Sequence, residues 1–420
     1  MSADTPAPPT LPLHGIRVLD LSRVLAGPSA AQTLADLGAE VIKIERPGAG
    51  DDTRLMGPHL PRPEAQGRGD GAEVGLVDRS AYFWAVNRGK RSVAIDLADP
   101  DGADLVRGLA CHADVLVENF KVDTLARYRL GYADLAALNP RLVYCSITGF
   151  GQTGPYRARA GYDSIVQAVG GLMSLTGEPD AGPMRAGVPM IDIMTGLYAS
   201  TAILAALRLR ETTGRGQHID LSLLDTMISA LSYIGVDHLA SGKVPPRTGT
   251  RNGVTHPSGI YDCADGQAMI IAGNEQQFRK LCGALGLDAL AGDPRFASSP
   301  LRVANAKELD AVLRPAMKAL PLQHCLDAFE RAGVPAGPIN DLARLFADPH
   351  VRARGAVVPI DHPGLGPVAS LASPMRFSET PLRYDRRPAL LGEHTRETLA
   401  DLLGLDEARL DALAGKGTIQ

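Results

Sequence analysis

Residues 15–45 read GIRVLDLSRVLAGPSAAQTLADLGAEVIKIE, and this stretch decides the fold. Apolar and polar residues alternate over 15–22, which is typical of a strand. A Gly-Pro step then opens a helix of small residues that Gly38 closes, and 39–45 predicts a second strand. A strand, a helix and a strand in this order form a βαβ unit. We therefore expect the two strands to pair in parallel and a ligand crevice to form at their carboxyl ends.

The same alternation of strands and helices continues downstream. The pattern predicts strands over 92–97, 114–119, 141–148 and 217–224, and helices over 101–111, 124–138, 165–175, 197–209 and 225–240. The fold class that follows is α/β, with a Rossmann-like, doubly wound large domain whose first part covers 1–215. Residues 55–80 are rich in Gly and Pro and predict a long surface loop.

The pattern changes after the large domain, and we expect a smaller α+β domain over 226–330. Two short strands, 259–263 and 268–272, are joined by the turn Ala264-Asp265-Gly266, which predicts a hairpin. The other predicted elements are helices over 275–285, 305–319, 322–332, 342–347 and 393–403 and a linker over 333–341. The C-terminal segment 340–420 is expected to return to the large domain.

The composition excludes several classes of function. The chain has 420 residues, of which 45% are hydrophobic, and this is enough for two domains with a sizeable core. A net charge of −4 and an aromatic content of 5% argue against a nucleic-acid partner. The five cysteines lie far apart with no C-x-x-C pair, which predicts reduced thiols in a cytoplasmic protein without a metal site. The amino terminus lacks the pattern of a signal peptide, and the apolar run 197–207 is too short to cross a bilayer. We therefore expect no membrane association.

One carboxylate stands alone in an apolar segment. Residues 187–196 read GVPMIDIMTG, and Asp192 is the only charged residue among them. An acid just before a helix is often an N-cap or a first-turn acid, because it favours the positive end of the helix dipole. A weakly solvated carboxylate can also act as a nucleophile. The local pattern leaves both interpretations open.

A glycine-rich turn and four cationic residues lie near predicted strand ends. Residues 149–154 read GFGQTG, which matches a dinucleotide fingerprint. Pro155 follows, so the glycines open no helix that could hold a pyrophosphate, and we do not predict a nicotinamide site. A turn that shapes a substrate pocket fits this stretch better. The four cations, which suit either a phosphate partner or a solvated surface, are Arg46, Lys90, Arg91 and Arg127.

Taken together, these features resemble the class III CoA-transferases, a family that also includes formyl-CoA transferase, carnitine CoA-transferase and α-methylacyl-CoA racemase. The motifs that carry the resemblance occur in order along nearly the whole chain: VLDLSRVLAGPSAAQTLADLGAEVIKIERPGAGDDTR (18–54), NRGKRSVAIDL (87–97), DVLVENF (114–120), LNPRLVYCSITGFGQTGP (138–155), AGYDSIVQAVGGLMSLTG (160–177), MRAGVPMIDIMTGLYA (184–199) and LLGEHT (390–395). The resemblance implies acyl-CoA and carboxylic acid substrates, no tightly bound cofactor, and an interlocked homodimer in which the C-terminal segment belongs to the large domain.

The resemblance also implies roles for individual residues. Asp192 falls on the family's nucleophilic aspartate, which would attack an acyl-CoA thioester to give an aspartyl anhydride and then an aspartyl-CoA thioester. The residues expected by motif match to contact CoA are Val24, Leu25, Ala26, Arg46, Asn119, Phe120 and Arg127. Charge alone adds Lys90 and Arg91 to this CoA-binding set.

Three other functions stay open from the sequence. The racemase branch uses a histidine in a G-H-D motif to move the α-proton, and here that motif reads Gly161-Tyr162-Asp163. Tyrosine has a pKa of about 10 and is a poor base at neutral pH, so we expect CoA transfer, with Tyr162 in the substrate pocket. An oxidoreductase on a Rossmann-like sheet and a non-catalytic CoA-binding protein are the other two alternatives.

The substrate prediction rests on finer differences within the family. The formyl-CoA and oxalate branch carries a tryptophan where this chain has Met56 in its substrate pocket, and a run of glycines where it has 252–256. Members with the M-R-x-G-V motif, here 184–188, resemble transferases that use succinyl-CoA and dicarboxylic acids. The arginines expected to bind a distal carboxylate are Arg54, Arg185 or Arg251.

Overall fold

A computed structural model describes residues 10–61 and 78–420 of the chain. These residues form two compact units. The first unit comprises 187–232, 353–420 and the described part of 1–170, and the second comprises 171–186 and 233–352. The second unit therefore takes in a short segment that precedes its main part. Most of the predicted loop 55–80 lies outside the described residues.

The secondary structure alternates through the first unit and becomes largely helical in the second. The strands are β1 (Arg17–Asp20), β2 (Glu40–Glu45), β3 (Lys90–Ala94), β4 (Val115–Glu118), β5 (Val143–Thr148), β6 (His218–Ser222), β7 (Ser258–Asp262), β8 (Gln267–Ile271), β9 (Ala336–Pro338), β10 (Val357–His362) and β11 (Gly366–Leu371). The helices are α1 (Ala26–Asp36), α2 (Ala81–Val86), α3 (Pro100–Cys111), α4 (Tyr132–Leu138), α5 (Asp163–Val169), α6 (Leu172–Leu175), α7 (Met190–Thr213), α8 (Leu223–Ala230), α9 (Ser232–Ser241), α10 (Glu275–Ala284), α11 (Asp288–Ala291), α12 (Ser299–Ala304), α13 (Ala306–Lys318), α14 (Leu322–Ala332), α15 (Leu342–Ala347), α16 (Pro349–Ala353), α17 (Thr395–Leu403) and α18 (Glu407–Gly415). Short 3-10 turns lie at Asp52–Leu55, Leu125–Tyr128 and Pro294–Phe296.

The first unit is built on a six-stranded parallel sheet with the order β3-β2-β1-β4-β5-β6. In its centre, Val18 of β1 pairs with Val41 of β2 on one side and with Val115 of β4 on the other. This strand order is that of a doubly wound sheet, so the predicted α/β, Rossmann-like fold class is confirmed. The order reverses between β1 and β4. In such sheets the ligand crevice lies outside the carboxyl ends of the strands at that switch point.

Helices pack on the sheet and complete the core of the first unit. Leu19 and Leu116 of the central strands are buried in one cluster with Leu109 of α3, Leu399 of α17 and Leu410 of α18. A further helical layer, α1 and α7, contacts the sheet through β1, β2, β5 and β6. The C-terminal helices α17 and α18 therefore belong to the sheet-containing unit, whereas residues 340–352 belong to the second unit.

The two helices α1 and α7 approach each other closely at Gly196. A Cβ atom built on Gly196 would lie 2.3 Å from Ser29 Oγ and 2.9 Å from the carbonyl oxygen of Ala26. Both distances are too short for any side chain larger than hydrogen. The glycine of the M-T-G step therefore fixes how near α7 lies to the amino terminus of α1.

The helix α7 is long and apolar enough to span a membrane by length and composition. Its buried residues recur every three or four positions from Ile191 to Arg210, and the helix packs against α1 and β5. A core helix of a soluble enzyme has the same composition. Among the described residues no other helix passes this test.

The second unit contains an antiparallel sheet with the order β7-β8-β9. Its core includes the aromatic side chains of Tyr261, Phe278, Phe296 and Phe329. The predicted hairpin of β7 and β8 is confirmed. The interpretation of 333–341 as a linker was wrong in part, because β9 lies within it and pairs with β8.

Several predicted helices are interrupted at residues with a positive φ. Arg129, at φ 56°, separates the 3-10 turn from α4, and Gly171, at φ 88°, separates α5 from α6. Ser232, at φ 49°, separates α8 from the body of α9. An α-helix cannot continue through this conformation. The apolar periodicity continues across these positions, so it does not predict the breaks at Arg129 and Ser232. The helix α18 was not predicted.

Candidate active site

A cleft lies at the switch point of the sheet, at the carboxyl ends of β1 and β4. Its walls are the turn 23–26 after β1, the turn 119–122 after β4 and the segment 157–162. The structure brings seven of the predicted site residues together in this cleft: Val24, Leu25, Ala26, Asn119, Phe120, Tyr162 and Asp192.

Asp192 lies in the first turn of α7, which begins two residues before it. Pro189 is the N-cap, and no side chain caps this helix through that position. The carboxylate that serves the helix end is Asp163, whose Oδ2 accepts from the N–H groups of Ile191 at 2.8 Å and of Asp192 at 3.1 Å. An acid just before an apolar helix predicts a cap of that helix, here α5, but the N-cap of α5 is Tyr162 and the Asp163 carboxylate bonds to α7 instead. Asp192 itself is not a cap, but it is an acid in the first turn of α7, so the helix dipole favours its charge and the structure keeps both interpretations of its position.

Two glycines bring Asp163 to the amino terminus of α7. A Cβ atom on Gly149, at the end of β5, would lie 2.5 Å from the Cα of Gly161, and a Cβ atom on Gly161 would lie 2.4 Å from the Cα of Gly149. The two backbones therefore touch. This contact seats the Gly161-Tyr162-Asp163 segment at the cleft, where Tyr162 is 67% exposed. The GFGQTG stretch opens no helix, in line with the rejection of a nicotinamide site.

The carboxylate of Asp192 is poorly solvated. Burial, together with the negative charge of Asp163, raises the pKa of Asp192 to about 7. No described side chain donates a hydrogen bond to its carboxylate oxygens. Near neutral pH the residue therefore exchanges between a neutral acid and a weakly solvated carboxylate, and the second form suits attack on an electrophilic carbon.

Four cations line the same cleft, and the sequence interpretation missed them. Arg157 pairs with Asp123 at 2.7 Å, and the guanidinium of Arg159 lies 3.7 Å from the ring centroid of Tyr156. Among the described residues, neither Arg159 nor Lys121 forms an ion pair. The cations of the rim are Arg23, Lys121, Arg157 and Arg159. The only sequence signal for the last two is the Y-R-A-R step after the glycine-rich turn.

A second cleft adjoins the first, since Arg23 and Phe120 line both. Arg46 lies in this second cleft, at the carboxyl end of β2. Arg127 is exposed on the 3-10 turn at 125–128, and its neighbours Thr124 and Tyr128 line the second cleft. These two predicted CoA ligands are therefore close to the switch point without lining the Asp192 cleft itself.

Lys90, predicted from its charge, lies inside the first unit and lines neither cleft. Its ammonium donates to Asp20 Oδ2, to the carbonyl of Pro28 and to Asn87 Oδ1, each at 2.8 Å. All its donor hydrogens are used by the protein. A lysine at a strand end can serve an internal acid as well as a phosphate, and composition alone does not distinguish the two.

Arg54 is likewise buried and satisfied. It donates to both carboxylate oxygens of Glu45, at 2.7 and 2.8 Å, and to the carbonyl of Ala389 at 3.0 Å. Its guanidinium also lies 3.7 Å from the ring centroid of Phe83. We therefore assign Arg54 to the interior of the fold.

The other predicted residues lie outside the Asp192 cleft as the first unit forms it. Arg91 pairs with Glu397 at 3.1 Å and with Glu40 at 3.7 Å. Met56 is exposed at the end of a 3-10 turn. Arg185 and Arg251 belong to the second compact unit.

Comparison with known proteins gives one consistent result. The family model for CoA-transferase family III matches residues 13–395. The chain is 48% identical to a succinate–glutarate CoA-transferase of Agrobacterium fabrum, over 93% of this chain and 96% of that protein. It is 42% identical to the succinyl-CoA:glutarate CoA-transferase of Mus musculus, over 97% and 90% of the two chains. It also resembles the crystal structure of a CAIB/BAIF family protein from Brucella suis, with a TM-score of 0.81 and 46% identity, over 94% of this chain and all of that one.

Proposed function

The chain belongs to CoA-transferase family III, and we propose that it moves CoA from succinyl-CoA to a second dicarboxylic acid, with glutarate as the first acceptor to test. The relatives that match nearly its whole length are named for succinate and glutarate. The observation in the structure that supports the chemistry is Asp192, a poorly solvated carboxylate in a cleft lined by cations.

The reaction divides into two exchanges at the carboxyl carbon of Asp192. A carboxylate oxygen of Asp192 attacks the thioester carbon of succinyl-CoA, the C–S bond breaks, and the products are a succinyl–aspartyl anhydride and CoA thiolate. The thiolate attacks the Asp192 carbon of the anhydride, a C–O bond breaks, and succinate leaves. This leaves an aspartyl-CoA thioester. An oxygen of glutarate attacks its Asp192 carbon, the C–S bond breaks, and a glutaryl–aspartyl anhydride and CoA thiolate form. The thiolate then attacks the glutaryl carbon of the anhydride, the C–O bond to Asp192 breaks, and glutaryl-CoA and free Asp192 result. No proton or electron is gained or lost overall.

The two adjoining clefts share Arg23 and Phe120 and offer a continuous path for CoA. We place the thioester end at the turn formed by Val24, Leu25 and Ala26, and the nucleotide end in the second cleft, where Arg46 offers a charge to the phosphates. Phe120 lies between them. Arg127 is the next cation along this path. CoA is a substrate here, and we propose no tightly bound cofactor.

The cations of the rim account for a preference for acidic acceptors. Lys121 and Arg159 are not committed to a carboxylate of the described protein, so their charge is available to the anions that enter the cleft. A dicarboxylic acid carries a second negative charge that a simple fatty acid lacks. This extra charge favours succinate and glutarate in such a cleft.

We also propose that the enzyme is a homodimer. The face of α7 turned away from the core carries exposed apolar side chains, among them Leu197, Tyr198, Leu204 and Leu209. Ile228 of α8 continues this face, and Tyr198 is linked to α8 by a 3.1 Å hydrogen bond with Ser229. An apolar stripe along a 24-residue helix is more than a monomer usually exposes.

The five cysteines are unpaired thiols, which supports a cytoplasmic location.

Mass spectrometry of the intact protein tests the proposed chemistry. The wild type, Asp192→Ala and the control Asp134→Ala, which removes the first-turn acid of α4, are each mixed with succinyl-CoA and then with hydroxylamine. We expect a CoA or succinyl adduct, converted by hydroxylamine to a hydroxamate at residue 192, in the wild type and in Asp134→Ala. Asp192→Ala should carry none.

Other outcomes separate the alternatives. An adduct with other acyl-CoA esters, but not with succinyl-CoA, would keep the aspartyl mechanism and reject the proposed donor. No adduct with any thioester, together with exchange of the α-proton in deuterated water, would show a racemase. Glutaryl-CoA formation from succinyl-CoA and glutarate, measured by chromatography, tests the acceptor.

A further inference from the structure

The side chain of Asn119 is committed to the neighbouring turn. Its Oδ1 accepts from the N–H of Arg23 at 2.8 Å, and its Nδ2 donates to the carbonyl of Arg23 at 2.6 Å. Arg23 follows β1 and Asn119 follows β4, the two strands at the switch point. This pair of hydrogen bonds therefore ties together two walls of the cleft, and it uses both ends of the amide.

The residues on either side of Arg23 are held by a buried ion pair. Lys43 Nζ donates to the carbonyl of Ser22 at 2.7 Å, and the N–H of Val24 donates to Asp51 Oδ1 at 3.3 Å. Lys43 and Asp51 pair with each other at 2.9 Å, and both side chains are almost fully buried. Neither charge reaches water, so breaking the pair would leave a buried charge without its partner, at a large cost in free energy.

Val24 shows why the turn needs these partners. Its φ is +70°, in the left-handed region that a β-branched residue rarely adopts. Such a conformation persists only where the surrounding structure imposes it. If the turn were released, Val24 would return to a negative φ. Leu25 and Ala26, the next residues of the cleft wall, would move with it.

We propose that Asn119 is a positioning residue: its amide holds the turn 22–25 in the strained conformation that lines the cleft beside Asp192, and it does not act as a side-chain ligand of CoA. This inference rests on the proposed function, because the turn affects the rate only if it presents a thioester to Asp192. Asn119 then lines the cleft in which CoA binds, but its side-chain amide does not bind CoA.

A double-mutant cycle of Asn119→Ala and Val24→Gly tests this role. Glycine adopts a positive φ without strain, so a turn with Val24→Gly depends less on the clamp. The values of kcat and KM are measured for CoA transfer from succinyl-CoA in the wild type, both single variants and the double variant. In the wild-type background we expect Asn119→Ala to lower kcat by about 10–100-fold with little change in KM, because a displaced thioester reacts slowly. In the Val24→Gly background we expect a loss below about threefold.

Several results would overturn the positioning role. If the two substitutions act independently and Asn119→Ala mainly raises KM, Asn119 is a direct CoA ligand. A lower melting temperature with unchanged kcat would make its role purely structural. If Asn119→Ala does not fold, Asn119→Asp replaces it: this variant keeps the acceptor for the N–H of Arg23, loses the donor, and adds a negative charge that repels the carbonyl of Arg23. The same coupling to Val24→Gly is then expected, and independent effects again contradict the proposal.

The Asp192 adduct in the wild type keeps this test separate from the test of the proposed function. If the wild type forms no adduct with succinyl-CoA, the proposed function fails and the positioning role fails with it. If the adduct forms and the two substitutions act independently, only the positioning role fails.

Discussion

Asp163 and Asp192 both lie at the beginning of helices, and their hydrogen bonds show that they have different roles. The carboxylate of Asp163 accepts two N–H groups of α7 and the side-chain amide of Gln167. That of Asp192 receives no cap bond and lies in a partly desolvated cleft. One acid therefore holds the helix end, and the other is left available for chemistry.

The pH dependence of activity follows from this pair. Burial and the charge of Asp163 raise the pKa of Asp192 to about 7, and only the carboxylate form attacks. We expect kcat/KM to rise with pH through about 7 and then to level off. Asp163→Asn keeps an oxygen for the N–H groups of α7 and removes the neighbouring charge, so the midpoint should move to lower pH. The control Asp225→Asn, at an exposed first-turn acid of α8, should leave the midpoint unchanged. An unchanged midpoint in Asp163→Asn would contradict this account.

Stability should change with pH in the opposite direction. The pKa of Asp192 is 3.8 in the unfolded reference and about 7 in the folded protein. Between these values the folded protein holds a proton that the unfolded chain has lost. The free energy of unfolding therefore falls as pH rises across this window. In Asp192→Asn the contribution of this residue is absent, so the difference between the two unfolding curves isolates it.

At the scale of single residues, the sequence predicted the position of the candidate nucleophile better than it predicted what each charged side chain contacts. Asp192 was found because an isolated acid in an apolar segment is visible in the pattern, and because the family motifs surround it. Lys90 and Arg54 were assigned to ligands although their partners are Asp20 and Glu45. A cation has the same letter whether its partner is a phosphate or an internal acid. Arg159 was missed because only the fold brings it into the Asp192 cleft.

At the scale of elements, the contact between α1 and α7 controls where the nucleophile lies. Both helices begin at the cleft, and Gly196 lies four residues after Asp192 on the face that meets α1. The close approach is possible only without a side chain there. The position of Asp192 relative to the turn after β1 therefore depends on this helix pair.

Gly196→Ala should weaken that contact. The new methyl group would overlap Ser29 Oγ and the carbonyl of Ala26, so the helices must separate. We expect the free energy of unfolding to fall by about 1–3 kcal/mol, as in other overpacked cores, when measured by chemical denaturation. Gly415→Ala is the matched control, because Gly415 is also helical and a Cβ atom there meets nothing within 4 Å. Equal effects of the two substitutions would show that the close contact does not constrain the fold.

Elements were predicted well where apolar periodicity and end signals agreed. The strands β1, β2, β4 and β5 follow mostly buried apolar runs, and the βαβ pattern predicted a doubly wound sheet without giving the strand order. The breaks at Arg129 and Ser232 could not be predicted, because nothing in these residue types demands a positive φ. The strand β9 was missed because three residues carry too little pattern. Its pairing with β8 is a long-range contact.

At the scale of the whole molecule, the structure leaves one large apolar surface of the first unit without a described partner. The outward side of α7 exposes Leu197, Leu204 and Leu209, although the inward side is buried against α1 and β5. The sequence pattern showed an apolar run over 197–207, and its length argued against a membrane span, whereas the whole helix of 24 residues is long enough for one. The composition of the run could not distinguish a fully buried helix from a helix shared between two subunits, because both are apolar on all sides.

The proposed dimer predicts what a charge on this surface does. We expect the wild type to run at twice its 44.3 kDa mass in size-exclusion chromatography with light scattering. Leu197→Glu places a charge on a side chain that is 56% exposed in the single chain, so the isolated subunit tolerates it, whereas a dimer interface would bury it without a partner. The dimer fraction should therefore fall. Val357→Glu, at an exposed residue of β10 in the same unit, should stay dimeric. A wild type that remains monomeric at micromolar concentration would contradict the dimer. Self-association would then not explain this apolar surface.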